Sequence, residues 1–374
     1  MDYIRVKNRM IYLHDYDHWW EFRYDSARLL PLLGSVRAKQ GKVLGGMSAM
    51  GFSIREEAQL QTLSSELVHS WSIEGEKLDM MEVRSSIARR LGMEVAGLPP
   101  STRYVEGVVE MLLDATHHYA DPLTEARLFG WHNTLFPTGM SGLYRIEVGK
   151  YRTGEMQVVS GAMGHERVHY QAPSPDRIPG EMRRFLDWVN APARTDPVLK
   201  SAIAHLWFVT IHPFDDGNGR ITRAITDMLL ARAEDNPHRF YSMSMVIKQR
   251  QREYYDVLER TQRGDGDITE WLTWFLLTLD KALDAVEGTC SRVRQKSLFW
   301  ERHRDKVFNE RQRKLINLLQ EDFYGKLTTG KWAKIAKCSP DTALNDIKDL
   351  VAKGILVKGE GGGRSTHYLL AEQS

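Results

Sequence analysis

Two strongly apolar helical stretches, Pro197–Ile211 and Asn218–Arg232, are separated by only a few residues, and that junction constrains the fold more than any other feature. Ile203, Leu206, Trp207 and Val209 on one side and Ile225, Met228, Leu229 and Leu230 on the other leave no polar face, so both helices belong in a core. Pro213 stops the first, and Gly217 and Gly219 permit the left-handed backbone of a tight loop. A short loop between two buried helices makes them antiparallel neighbours and puts a helix N-terminus at its exit. Helical periodicity extends over most of the chain, at Ser26–Gly45, Arg55–Ile73, Ser101–Tyr119, Thr124–Leu135, Ile178–Asn190, Gln249–Arg260 and Ile268–Thr289. The expected fold is mainly α. One stretch differs: Met156–Ser160 and Arg167–Gln171 are short β-prone runs around a glycine-containing connection, which reads as a β-hairpin.

The loop itself, His212-Pro-Phe-Asp-Asp-Gly-Asn-Gly-Arg-Ile-Thr-Arg223, carries chemistry. Free N–H groups at a helix start, together with the helix dipole, favour an anion. Arg220 and Arg223, three apart, project from one side of the first turns, and two guanidiniums beside glycines suit a polyphosphate better than a single carboxylate. Asp216 offers a hard oxygen for Mg²⁺ bridging phosphates, and His212 is the neighbouring group able to take a proton near neutrality. Taken singly, a histidine before proline, an Asp-Gly-Asn-Gly turn and paired arginines are ordinary structural features. Ordered within twelve residues between two apolar helices, they supply a base, a metal ligand and a phosphate cradle. That set fits transfer of a phosphorus-centred group to a hydroxyl.

The segment resembles the signature of the Fic family, His-Pro-Phe-x-Asp/Glu-Gly-Asn-Gly/Lys-Arg-x-x-Arg, with every fixed position present. The resemblance covers roughly residues 50–290 and implies a Fic-type helical core that transfers AMP from ATP to a Ser, Thr or Tyr hydroxyl of a protein. It implies that His212 deprotonates that hydroxyl, that Asp216 holds Mg²⁺, that Gly217, Asn218, Gly219 and Arg220 bind the α- and β-phosphates, and that Arg223 binds the γ-phosphate. Tyr254 and Tyr255 resemble a tyrosine pair near the nucleotide, and Gln262 falls near a polar adenosine contact. The hairpin resembles the Fic flap, with Val158, Val159, Ser160 and Gly161 facing the nucleotide, although its turn at 162–165 is longer than in shorter flaps. Upstream, Ser70-Trp-Ser-Ile-Glu74-Gly75 matches the inhibitory motif Ser/Thr-x-x-x-Glu-Gly/Asn. By that match Ser70 and Glu74 belong to an N-terminal inhibitory helix at about 55–75, and Glu74 makes a two-pronged contact to Arg223 that displaces the γ-phosphate.

Three regions are expected: a small helical extension over 1–50, the Fic domain over 51–294 and a C-terminal unit over 295–374, beginning with a charged connector at 295–313. In the last, helices at Leu315–Gln320, Gly330–Ala336 and Ser339–Lys353, an extended piece at Leu327–Thr328 and a hairpin around Gly359–Gly363 read as a winged helix-turn-helix. Residues 291–374 hold 17 Lys and Arg against 10 Asp and Glu, while the whole chain is +2, so a basic end follows an acidic body. DNA is a candidate partner there, with Ser339, Asp341 and Thr342 toward a groove and Arg364 on the wing, although Asp341, Asp346 and Asp349 sit awkwardly on a reading helix. Protein docking is the other use of such a unit. The composition, with no bilayer-length apolar run and two widely spaced cysteines, points to a cytoplasmic protein with no membrane partner. The oligomeric state stays open, a dimer included. Two alternatives remain: a DNA-binding regulator whose Fic body senses nucleotide, or a Fic enzyme that uses another donor or removes AMP.

Overall fold

The computed structural model describes residues 11–49, 51–93, 99–160, 167–192, 194–320, 323, 325–359 and 366–371. Contacts divide the chain into two compact units, Met1–Ile87 with Ser101–Glu287, and Ala88–Pro100 with Gly288–Ser374. Among the described residues no helix is long and apolar enough to cross a membrane.

The first unit is helical: α1 (Ser26–Ser48), α2 (Phe52–Ile73), α3 (Met80–Arg90), α4 (Arg103–His117), α5 (Glu125–Leu135), α6 (Ile178–Asn190), α7 (Pro197–Ile211), α8 (Asn218–Glu234), α9 (Met243–Gln249), α10 (Gln251–Gln262) and α11 (Thr269–Arg302), with α3 past Ile87 and α11 past Glu287 counted in the second unit. Two hairpins interrupt it, β1 (Met140–Ser141) with β2 (Tyr144–Arg145), and β3 (Gln157–Ser160) with β4 (Arg167–Gln171). Every residue of α7 after Pro197 is buried, which makes it the central helix against which α6 and α8 pack. Asp196 caps it by accepting from Val198 N–H. Helix α2 buries Leu60, Leu63, Leu67 and Trp71, a three- and four-residue spacing that lays one stripe against α9 and α4. Buried Glu66 fixes its axial position, accepting from the Ser242 hydroxyl at 2.7 Å and from Ser244 N–H at 3.0 Å at the start of α9.

Four elements depart from the sequence reading. Helices α3 and α9 were not expected, being short and carrying fewer periodic apolar positions than their neighbours. The connector expected over 295–313 is helix as far as Arg302, because charged residues there continue the helical face while Phe299 is buried. Helix α4 begins at Arg103 rather than Ser101, since Thr102 provides the cap.

The second unit contains α12 (Glu310–Gln320), α13 (Thr329–Ala336), α14 (Pro340–Ala352), β5 (Leu356–Lys358) and β6 (Tyr368–Leu370), with Leu327 bridged to Tyr368 beside the hairpin. Its core is built from Leu315, Trp332, Ile347, Leu350 and Leu356, among others. Asp346, which looked out of place on a helix that reads nucleic acid, is buried and held by Arg311 at 2.7 and 3.0 Å. Asp349 pairs with Gln312 and Lys353. The Ser339 hydroxyl is spent capping α14 through Thr342 N–H. Gly361, Arg364 and the turn at Gly359–Gly363 beyond its first glycine lie outside the described residues.

Candidate active site

Helix α7 ends because His212 turns left-handed, at φ 51° and ψ 59°, while its N–H still bonds Phe208 O at 3.0 Å. A non-glycine residue in that region needs its surroundings to hold it. Arg152, almost fully buried, supplies the hold: its Nε donates to His212 O at 2.8 Å, and its backbone N–H donates to Pro213 O at 2.9 Å. Its remaining nitrogens reach Gly154 O and Pro173 O, tying the loop to the segment before the flap and the one after it. Asn218 closes the loop from the other end, accepting from Phe214 N–H at 3.0 Å and donating to Phe214 O at 2.7 Å. His132 stacks on Phe214 with ring centroids 4.3 Å apart and bonds Asp216 O at 3.1 Å.

The loop shape leaves the His212 ring poised. Its Nδ1 lies 3.2 Å from Val209 O, which selects the tautomer with the proton on Nδ1 and leaves the Nε2 lone pair free. Burial lowers its pKa to about 4 from the ordinary 6.5, against the smaller upward pull of that carbonyl. The imidazole is therefore neutral at pH 7 and able to accept a proton.

Helix α8 opens at Gly217, φ 83°, with no capping side chain, so its first N–H groups face the cavity. Gly219 lies within the first helical turn and does not adopt the left-handed backbone expected of it. Its missing Cβ matters for another reason: a Cβ there would collide with Glu74 Oε1. Arg220 and Arg223 follow, both buried. Arg223 Nη2 lies 2.8 Å from Glu74 Oε1, while its Nε donates to the Ser70 hydroxyl at 2.7 Å and Nη2 to Ser70 O at 2.9 Å. The fork expected to grip Glu74 with both prongs is thus shared with Ser70. Burial works against the Arg223 charge, but Glu74 and the neighbouring tyrosines outweigh it and raise the pKa. Asp216 Oδ2 accepts from the Ser141 hydroxyl at 2.5 Å, and Oδ1 meets Gly217 N–H at 2.5 Å.

These groups open on a cavity of about 510 Å³, a size common among small-molecule sites. It is lined by Glu74, His212, Asp215, Asp216, Asn218, Gly219, Val158, Val159, Tyr254, Tyr255 and Gln262. Leu258, Val158, Val159 and Tyr255 supply apolar lining. Tyr254 is buried, its hydroxyl 3.0 Å from His205 Nε2, and Gln262 donates to Thr210 Oγ1 at 3.3 Å, so both brace the core while edging the cavity. Tyr255 is the exposed member of the pair. Ser160 ends β3; its side chain and Gly161 lie outside the described residues.

A model of the Fic/DOC family matches residues 122–230, which hold α5 through most of α8 and the entire loop. Residues 12–93 match a second family, described as a domain of unknown function, DUF4172. The protein adenylyltransferases Fic of Drosophila willistoni and Culex quinquefasciatus are each 27% identical, over 263 and 257 residues, or 67% and 66% of this chain. This chain carries a Fic domain. It spans about half the length of the curated relatives it matches, 47% and 46% of these two. The mostly helical fold agrees with solved Fic proteins. A Fic family protein from Desulfovibrio desulfuricans G20 has a TM-score of 0.51 at 22% identity, covering 92% of this chain and 97% of that one. A Fic domain containing signaling protein from Bacteroides thetaiotaomicron has a TM-score of 0.52 at 19% identity, covering 69% and 97%.

Several residues that shape the Fic site were not singled out from sequence. Arg152, His132 and Ser141 lie 60 or more residues before their partners in the loop and belong to no local motif. Glu76, which meets Arg220, stood just one residue beyond the motif that drew attention to Glu74. His169 occupies the bulge of β4, where the register skips from Tyr170 to Val168, and reaches Glu259 at 2.6 Å. Among the described residues no group of three or more His, Cys, Asp or Glu side chains forms a metal cage. Asp216 alone fits a Mg²⁺ that takes most of its ligands from phosphates and water.

Proposed function

We propose that this chain is a protein adenylyltransferase that moves AMP from ATP to a Ser, Thr or Tyr hydroxyl of a protein, and that Glu74 restrains it. The observation that carries the reading is the seat of the Glu74 carboxylate: an anion already lies against Gly219 at an uncapped helix start and on the buried Arg223. Those same groups suit a phosphate once the carboxylate leaves.

In that reading His212 Nε2 takes the proton of the acceptor hydroxyl as its oxygen bonds the α-phosphorus, and the bond to pyrophosphate breaks. The Val209 carbonyl steadies the imidazolium that results, and solvent then removes the proton. Gly217, Asn218 and Gly219 offer backbone N–H groups to the phosphates, and Arg220 and Arg223 offset the charge that builds on the leaving group. Asp216 would hold Mg²⁺, which would supply charge neutralisation for the phosphates. Val158 and Val159 cover the nucleotide from the flap, and the outer edge of β3, paired on one side only, is available to align an extended target segment. With Glu74 seated, Arg223 is occupied and a triphosphate cannot lie in line for attack.

Glu74→Gly is expected to raise incorporation of label from [α-³²P]ATP, most visibly on the protein itself. Adding His212→Ala to that variant should lower transfer by about 10²–10⁴-fold. Equal incorporation by wild type and Glu74→Gly, or full transfer by the double variant, would sink the reading.

For residues 295–374 we infer a winged helix that binds duplex DNA. Its support is that Asp346 and Asp349 are neutralised internally, which leaves Asp341 as the remaining α14 acid of the three. The expected result is DNA retention that weakens steeply between 50 and 200 mM salt, as counterion release requires. Retention that is absent at 50 mM salt removes this assignment and leaves the transferase untouched.

A further inference from the structure

The tip that carries Glu74 holds a second carboxylate. Gly75, at φ 82°, turns the chain after α2, and Glu76 N–H returns to Trp71 O at 3.1 Å. The turn aims the two acids, two residues apart, at two arginines three apart on α8. Glu74 reaches Arg223, and Glu76 Oε1 accepts from Arg220 Nη1 at 2.9 Å. Arg220 Nη2 in turn lies 3.3 Å from Asp216 Oδ1. Both terminal nitrogens of Arg220 are therefore engaged by carboxylates, and its buried Nε has no hydrogen-bond partner among the described residues. The second oxygen of Glu76 accepts from the Tyr104 hydroxyl at 3.3 Å, which itself accepts from Trp71 Nε1 at 2.7 Å.

We propose that Glu76 is a second prong of the inhibitory plug, holding Arg220 off the phosphates and, through Arg220, keeping Asp216 engaged and away from the metal. The proposal rests on the nucleotide-binding reading above. Burial decides which partner moves. The Arg220 side chain is 1% exposed and packed between the rings of Trp71 and Phe136, whereas the Glu76 side chain is 44% exposed. The arginine cannot leave without unpacking the core, while the acid can swing into water at little cost. Charge points the same way. Glu74, Glu76 and Asp216 surround two guanidiniums, so the resting cradle already has more carboxylates than cations, and a polyphosphate can enter favourably only when acids withdraw. The opposite role, in which Glu76 orients Arg220 to grip a phosphate, predicts the opposite sign.

The experiment is equilibrium binding of α,β-methylene-ATP with Mg²⁺, by calorimetry, to wild type, Glu76→Gln, Glu74→Gly and the double variant. Loss of one carboxylate prong should tighten binding in Glu76→Gln about fivefold, less than in Glu74→Gly, with the double variant tightest. Tyr104→Phe, which keeps all charges and removes one bond to Glu76, should shift binding the same way by a smaller factor. Binding that is unchanged or weaker in Glu76→Gln, while Glu74→Gly tightens it, overturns the second prong and leaves the first intact. No binding by Glu74→Gly overturns the nucleotide reading, and the plug falls with it.

Discussion

In the loop from His212 to Gly217 most polar groups are spent inside the protein, whereas both carboxylates of the tip at Glu74 and Glu76 keep one face to water. The loop is pinned from three directions, by Arg152 on the His212 carbonyl, by Asn218 on both polar atoms of the Phe214 backbone and by His132 on the Asp216 carbonyl. The tip is pinned chiefly through its backbone: Lys248 donates to Ser72 O at 2.7 Å and Gln251 to Ile73 O at 2.8 Å, while its two acids rest on arginines of α8 and Glu76 also accepts from the Tyr104 hydroxyl. In the transferase reading proposed above, the difference separates two tasks. A base and an anion cradle need fixed positions before substrate arrives, which costs no reorganisation later. A restraint must yield, and half-exposed acids on immobile cations yield by exchanging one set of charges for water.

Acid should break the pinned half hardest. His132, His205 and His212 are all held neutral by burial, with pKa values of about 4, about 3 and about 4. Each lies below the ordinary 6.5, so between pH 6.5 and those values the unfolded chain binds protons that the native chain refuses. Stability is then present above pH 6.5 and is lost as pH falls through the window, each imidazole contributing up to about 1.4 kcal/mol per unit. Urea unfolding midpoints should therefore drop sharply from pH 7 to pH 5 and stay level from pH 7 to pH 8. A midpoint that holds steady down to pH 5 would mean that these rings are not buried as described.

How much of this was readable in advance follows the same division. The order of helices in the second unit and the two strands of the flap hairpin were legible because local periodicity and turn residues set them. That His212, Asp216, Asn218 and Gly219 would meet at one cavity was legible because they lie within twelve consecutive residues. Arg152 was not, since nothing local distinguishes an arginine that will fold against a carbonyl 60 residues away from one in solvent. Gly219 was expected to turn left-handed; its backbone is helical instead, and its bare Cα leaves room for the Glu74 carboxylate at the end of α2. Glu76 was overlooked because an acid after Glu-Gly has no meaning until the turn at Gly75 fixes where it points. Pairings of distant segments are set by tertiary packing, and a single sequence carries no period or spacing that reports them.

Asn218 gives the finer test of whether rigidity in the loop serves the chemistry. Its side chain is buried and makes two hydrogen bonds to Phe214, so Asn218→Ala strands a buried N–H and a buried C=O together. The expected loss of stability is about 2–4 kcal/mol, of which the larger part is the desolvation of groups left without partners. If the loop is the preorganised half, the same change made in Glu74→Gly should lower the rate of AMP transfer at saturating nucleotide more than it weakens nucleotide binding. The base then strays while the arginines, fixed by α8, still grip phosphate. Asn218→Asp keeps the acceptor for Phe214 N–H and loses only the donor, and should recover part of both losses. Should Asn218→Ala weaken nucleotide binding and leave the saturated rate unchanged, Asn218 would be supporting the cradle rather than the position of His212, and the division drawn between the pinned loop and the yielding tip would have to be moved to run through the loop itself.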